Sequence, residues 1–138
     1  MINLIVGKKG TGKTKRLVEH ANESVTKSRG NVVVIAKGNG LTYDISHDAR
    51  LVDIDSYKIS GADALGGFLC GICAGNYDVT DIFVDSTLKI IGQDMQTLSA
   101  FIQKMNRLSA LADTKITLLV SADESSLPDE VRAVSTPV

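Results

Sequence analysis

Eight residues, Gly7-Lys8-Lys9-Gly10-Thr11-Gly12-Lys13-Thr14, constrain this chain more than any others. They satisfy G-x-x-x-x-G-K-[ST] at every position. An apolar run, Ile2–Val6, precedes them, and a helical pattern opens at Lys13. Glycines let the backbone curl with its N–H groups pointing inward, a concavity suited to an anion. The N-terminus of the following helix adds partial positive charge. Lys13 has the reach for terminal phosphates, and the Thr14 hydroxyl can bind Mg²⁺. Lys8 and Lys9 occupy the free positions, either raising the local potential for an anion or simply standing solvated at the loop tip. Gly7, Gly10, Thr11 and Gly12 complete the candidate cradle.

The rest of the chain alternates short apolar runs with helical patterns, which predicts an α/β domain with a largely parallel sheet. Strands are expected at Ile2–Val6, Asn31–Lys37, Leu51–Ile54, Asp81–Asp85 and Ile116–Ser121, five in all. A helix over Lys13–Ser28 carries Leu17, Val18, Ala21 and Val25 on one stripe, with Gly30 placed to end it. Ser60 and Asp63 read as a capping box for a helix over Ala62–Ala74. Gly66, Gly67 and Gly71 inside it predict close packing on a neighbour. The clearest helix spans Asp94–Ala112, with Met95, Leu98, Phe101, Ile102, Met105 and Leu108 at three- and four-residue steps. Pro128 opens a short last helix. With 138 residues and no linker, the expectation is one domain over 1–138.

The stretch Ile82-Phe83-Val84-Asp85 is an apolar strand ending in an acid, the Walker B pattern, whose Asp holds the Mg²⁺ shell. With the glycine-rich loop, it makes the chain resemble P-loop NTPases over Met1–Val25 and Tyr77–Ser121. The chain also resembles a group of small bacterial P-loop ATP-binding proteins, some carrying a twitching-motility label. That likeness extends through Leu41-Thr42-Tyr43-Asp44-Ile45 and Phe68–Asp78. The acidic and histidine boxes of pilus retraction ATPases are missing. A weaker likeness to thymidine kinase lacks the zinc-binding cysteines and the Glu after the Walker B Asp. The resemblance implies a three-layer α/β/α P-loop domain that binds ATP or ADP with Mg²⁺, held by Thr14 and Asp85, with Lys13 and Asp85 in catalytic roles.

Hydrolysis also needs a group to orient or deprotonate water. Ser86 stands where many P-loop ATPases carry Glu. Asp123, just past the last strand, is the candidate substitute, with Asp53 and Asp55 behind it, and Ser121 is placed to meet the γ-phosphate. Arg107 and Arg132 are the arginines available as a finger, but both read as solvated helix residues. ATP is favoured over GTP because N/T-K-x-D is absent: Thr117 stands where the Asp after Thr114-Lys115 should be. Turnover is therefore expected to be slow or stimulated by a partner, either a second copy or another protein. The alternatives are a nucleotide-sensing module without turnover and a small-molecule kinase.

Composition narrows the partners. Fifteen Lys+Arg against sixteen Asp+Glu, and 4% aromatics with no Trp, argue against a nucleic-acid binder. No run reaches the roughly 18 apolar residues of a membrane span. The lack of an export signal and a count of two cysteines predict a cytoplasmic location. Cys70-Gly71-Ile72-Cys73 sits in an apolar stretch and reads as packing rather than zinc or redox chemistry. His20 and His47 read as ordinary surface residues.

Overall fold

Uniformly apolar runs become strands buried on both faces, and the parallel sheet they form sets the position of everything else. The computed structural model describes residues 1–138. It runs β1 (Ile2–Gly7), α1 (Lys13–Lys27), β2 (Asn31–Ala36), β3 (Arg50–Asp53), α2 (Ala62–Gly75), β4 (Val79–Val84), α3 (Thr87–Ile91), α4 (Met95–Ala112), β5 (Lys115–Ser121), α5 (Asp129–Ala133) and β6 (Ser135–Pro137). Short 3₁₀ turns cover Ile54–Tyr57 and Glu124–Ser126.

The sheet order is β3-β2-β4-β5-β1-β6, and every neighbouring pair is parallel. Connections from β1 to β2 and from β2 to β3 step one way along the sheet. Those from β3 to β4, β4 to β5 and β5 to β6 step the other way. Right-handed crossovers then require the two sets to lie on opposite faces. They do: Leu17 and Ala21 of α1 pack with Leu41 and Ile45 against Ile5, Val34 and Leu119. Leu65 and Leu69 of α2, Ile102 and Met105 of α4 and Val131 of α5 pack against Leu4, Ile35, Ile82 and Leu118 on the other face. Chain connections therefore diverge to opposite faces at the C-terminal ends of β1 and β5. In open α/β sheets such a divergence creates a crevice.

Several expectations change. The sheet has six strands rather than five, because Ser135–Pro137 adds an edge beside β1. Its proline is tolerated only at such an edge. Gly30 does not end α1. Ser28 caps the helix by donating its N–H to Ser24 O at 2.8 Å. A Cβ at Gly30 would instead overlap the Asp78 carbonyl. The capping box at Ser60 and Asp63 does not form. Gly61 is the N-cap of α2 without a side-chain bond, and its N–H is taken by Ile90 O at 2.9 Å. Close packing accounts for Gly66, which faces Lys104 of α4, whereas Gly67 and Gly71 face open space. The helix α4 does begin as expected: Asp94 accepts from Thr97 N–H at 3.3 Å and from Thr97 Oγ1 at 2.9 Å. No helix is long and apolar enough to cross a membrane.

Candidate functional site

The glycine-rich loop leaves β1 at the crevice. Gly10 and Gly12 have φ of +83° and +80°, left-handed values that cost an L side chain about 1–2 kcal/mol. These two turns bring the loop back over itself. Thr11 Oγ1 donates to Lys8 O at 2.8 Å, and Lys13 Nζ donates to the same carbonyl at 2.6 Å. The lysine is thereby folded inward, 5% exposed. Burial, then the nearby Arg16, push its pKa down, while Asp85 pushes it back up. A further anion beside Lys13 would favour its charged form.

The start of α1 is open to such an anion. Gly12 caps it without a side-chain bond, and no acid sits in the first turn. Its first internal bond runs from Arg16 N–H to Gly12 O at 3.2 Å, so the N–H groups of Lys13, Thr14 and Lys15 have no partner within the helix.

Asp85 follows β4, with β5 standing between its strand and β1. Its N–H donates to Ile35 O at 2.8 Å, which anchors its backbone to β2. Its side chain is mostly buried. Oδ1 accepts from Thr14 Oγ1 at 3.3 Å, and Oδ2 accepts from Ser86 Oγ at 3.1 Å. Thr14 and Asp85 lie 71 residues apart in sequence and meet only because the sheet aligns β1, β5 and β4. Both present hard oxygens, the ligand type that a small cation such as Mg²⁺ takes. Ser86 has φ of +56°, a left-handed turn that points its hydroxyl back at Asp85 and starts α3.

The cleft around these groups measures about 560 Å³. Lys9, Gly10, Gly12, Lys13, Thr14, Lys15, Ser86, Leu88, Lys89, Leu119, Gln93 and Ser121 line it. Four are lysines and none is an acid, although the chain carries a net charge of −1. A larger groove of about 820 Å³ lies at the opposite ends of the strands. It balances Lys27, Arg29 and Lys115 with Glu23, Asp81 and Asp113. The smaller cleft is therefore the one whose electrostatics favour a polyanion.

The structure brings the expected residues together unequally. Ser121 pairs in register with Gly7 and lines the cleft. Lys8 turns away to meet Asp123 at 3.6 Å, both side chains being largely exposed. Asp123 also accepts from Ser125 N–H at 3.2 Å. Hydrogen bonding from the Ser125 backbone and then its side chain, followed by Lys8, holds its carboxyl below the usual range. Asp123 thus touches the tip of the loop and is not part of the cleft lining. Asp53 and Asp55 stand at the far edge of the sheet. Asp53 accepts from Gly38 N–H at 2.8 Å and Asp55 N–H at 3.0 Å, while Asp55 pairs with Lys37 at 2.8 Å. Arg107 is exposed on α4, and Arg132 donates to Glu124 O at 2.8 Å.

Sequence reasoning missed Lys15, Lys89 and Gln93. Lys15 was within reach as the second residue after the lysine of the motif. Lys89 and Gln93 carry no signal, because α3 is one turn long and buries Thr87, Leu88, Ile90 and Ile91 without an amphipathic period. Cys73 is buried, which pushes its thiol pKa up and disfavours the reactive thiolate, and Cys70 is half-buried. No protein-family model matches the chain, and no curated protein matches it.

Proposed function

We propose that this chain is a P-loop nucleotide-binding protein that takes Mg-ATP in the lysine-lined cleft and hydrolyses it slowly or under stimulation by a protein partner. One observation carries the reading: the uncapped N-terminus of α1, the inward-folded Lys13 and three further lysines border one cleft with no acid in its lining, and Asp85 stands behind that lining, bonded to Thr14 and Ser86.

In this reading the loop N–H groups and those of Lys13, Thr14 and Lys15 bind the β-phosphate. Lys13 exchanges the Lys8 carbonyl for phosphate oxygens. Mg²⁺ would neutralise charge on the β- and γ-phosphates, held by Thr14 and the Asp85 shell. Lys9 and Lys89 add positive charge at the cleft, and Ser121 offers a hydroxyl to the γ-phosphate. ATP is assigned ahead of GTP because the chain lacks the guanine-reading signature.

The acid-free lining also supports a second reading, a sensing module that binds nucleotide without turnover. Asp85 is engaged with Thr14 and Ser86, and Ser86 is a poor base at neutral pH. Phosphate release from Mg-ATP under enzyme excess separates the two. Release slower than about 1 s⁻¹ and abolished by Asp85→Asn fits the ATPase. Binding without release selects the module. Consumption only with an added acceptor selects a kinase. Release that Asp85→Asn leaves unchanged overturns the assignment of Asp85.

A further inference from the structure

Resting on the nucleotide-binding reading, we infer that Gln93 orients the attacking water, filling the role left open by Ser86. No carboxylate lines the cleft, and Asp85, which is bonded to two of the lining residues, already accepts a hydrogen bond on each oxygen. The neutral polar side chains lining the cleft are Thr14, Ser86, Gln93 and Ser121. Thr14 and Ser86 donate to Asp85. Ser121 stands beside Gly7 at the end of β5, at the base of the loop.

Gln93 differs in how it is held. Gly92, with φ of +99°, turns the chain back at the end of α3. The Gly92 N–H donates to Leu88 O at 2.9 Å, and Gln93 Nε2 reaches the same carbonyl at 3.4 Å. The amide nitrogen makes this one long bond, and Oε1 accepts no hydrogen bond from the protein, which leaves it available to a water in the cleft that Gln93 lines. Lys89, on α3 four residues earlier, lines the same space. The pair supplies a neutral acceptor for water and a cation for the γ-phosphate, the two functions a hydrolytic site needs when no carboxylate is placed to act as base.

The step balances without a protein base. Water donates a hydrogen bond to Gln93 Oε1, and its oxygen forms a bond to the γ-phosphorus. The bond from that phosphorus to the β–γ bridging oxygen breaks, ADP leaves, and the water's proton passes to a γ-phosphate oxygen. Gln93 takes no proton.

The test compares wild type, Gln93→Ala and Ser121→Ala by calorimetric titration with Mg-ATP and by single-turnover phosphate release. Gln93 is exposed, so truncation leaves the fold intact. The expected result is a release rate at least tenfold lower in Gln93→Ala, with affinity within threefold of wild type. Unchanged release with unchanged affinity overturns the assignment, as does a loss confined to Ser121→Ala. Wild type that binds Mg-ATP without releasing phosphate also overturns it and selects the sensing module. Absence of binding by wild type defeats the nucleotide reading itself.

Discussion

Replacing Thr14 with valine keeps the shape of the side chain and removes one hydroxyl. In the free protein that hydroxyl reaches Asp85 Oδ1 at 3.3 Å. Hydrogen bonds from hydroxyl to carboxylate ordinarily run 2.5–2.7 Å, so this one is stretched and contributes less than the usual increment. Thr14 is also exposed, which lets water replace the partner. The loss in folding stability should stay under about 1 kcal/mol. At an unfolding entropy of about 2.1 cal/mol/K per residue, that moves the Tm of a 138-residue chain by no more than about 4 °C. The effect on metal should be far larger if, as proposed, Thr14 supplies the direct oxygen ligand. Calorimetric titration of ATP with and without Mg²⁺, run beside thermal unfolding, reads both quantities. Wild type should bind at least tenfold tighter with Mg²⁺. Thr14→Val should lose that gain while its metal-free affinity stays within threefold. A Tm drop beyond about 8 °C would show that Thr14 is structural, and a preserved Mg²⁺ gain would remove it from the metal site.

Two further outcomes follow from packing and charge. Gly67→Ala should raise Tm by about 3 °C, since Gly67 lies in α2 with open space around an added methyl and Gly costs a helix about 1 kcal/mol. Gly66→Ala should gain less, because its methyl meets Lys104 Nζ at 3.3 Å; thermal melts showing the reverse order would refute this packing. Asp53 is held below the usual carboxylate range by Gly38 N–H first, then by Asp55 N–H and Ser56. A depressed folded pKa stabilises above the unfolded value of about 3.9 and is lost as pH falls through the folded value. Asp53→Ala should therefore lower Tm at pH 7, with the gap to wild type narrowing below about pH 4; a gap independent of pH would remove the charge from the argument.

The elements most legible in the sequence were those written in local pattern. The loop from Gly7 to Thr14 announces its two turns by residue type, and α4 announces itself by an apolar repeat from Met95 to Leu108. The strands β2 and β5 are apolar on both faces and needed no partner to be found. What depended on distant pairing was not readable. Whether a strand separates β1 from β4 is decided by which edges meet, and nothing within Lys115–Ser121 says that it inserts there. Ser135–Pro137 is a strand only because β1 offers it a free edge. Gly30 looked like a helix stop, yet it is required by the Asp78 carbonyl 48 positions on. Asp123 was a candidate for the water-orienting group because it follows β5; that the turn it caps carries its carboxylate to Lys8 depends on the fold of the loop and was not readable. Gln93 was invisible because its value lies in a tether to Leu88 made by a one-turn helix.

The most direct test of the central claim is calorimetric titration of Mg-ATP into wild type and Lys13→Ala, each shown to be folded by circular dichroism. Lys13 is the buried cation at the centre of the cradle, and a charge-assisted bond is worth about 1.5–3 kcal/mol. Micromolar binding by wild type, weakened at least tenfold in Lys13→Ala, is the predicted result. Equal affinity in the two proteins, or no binding heat from wild type, would contradict the assignment of this cleft to a nucleotide.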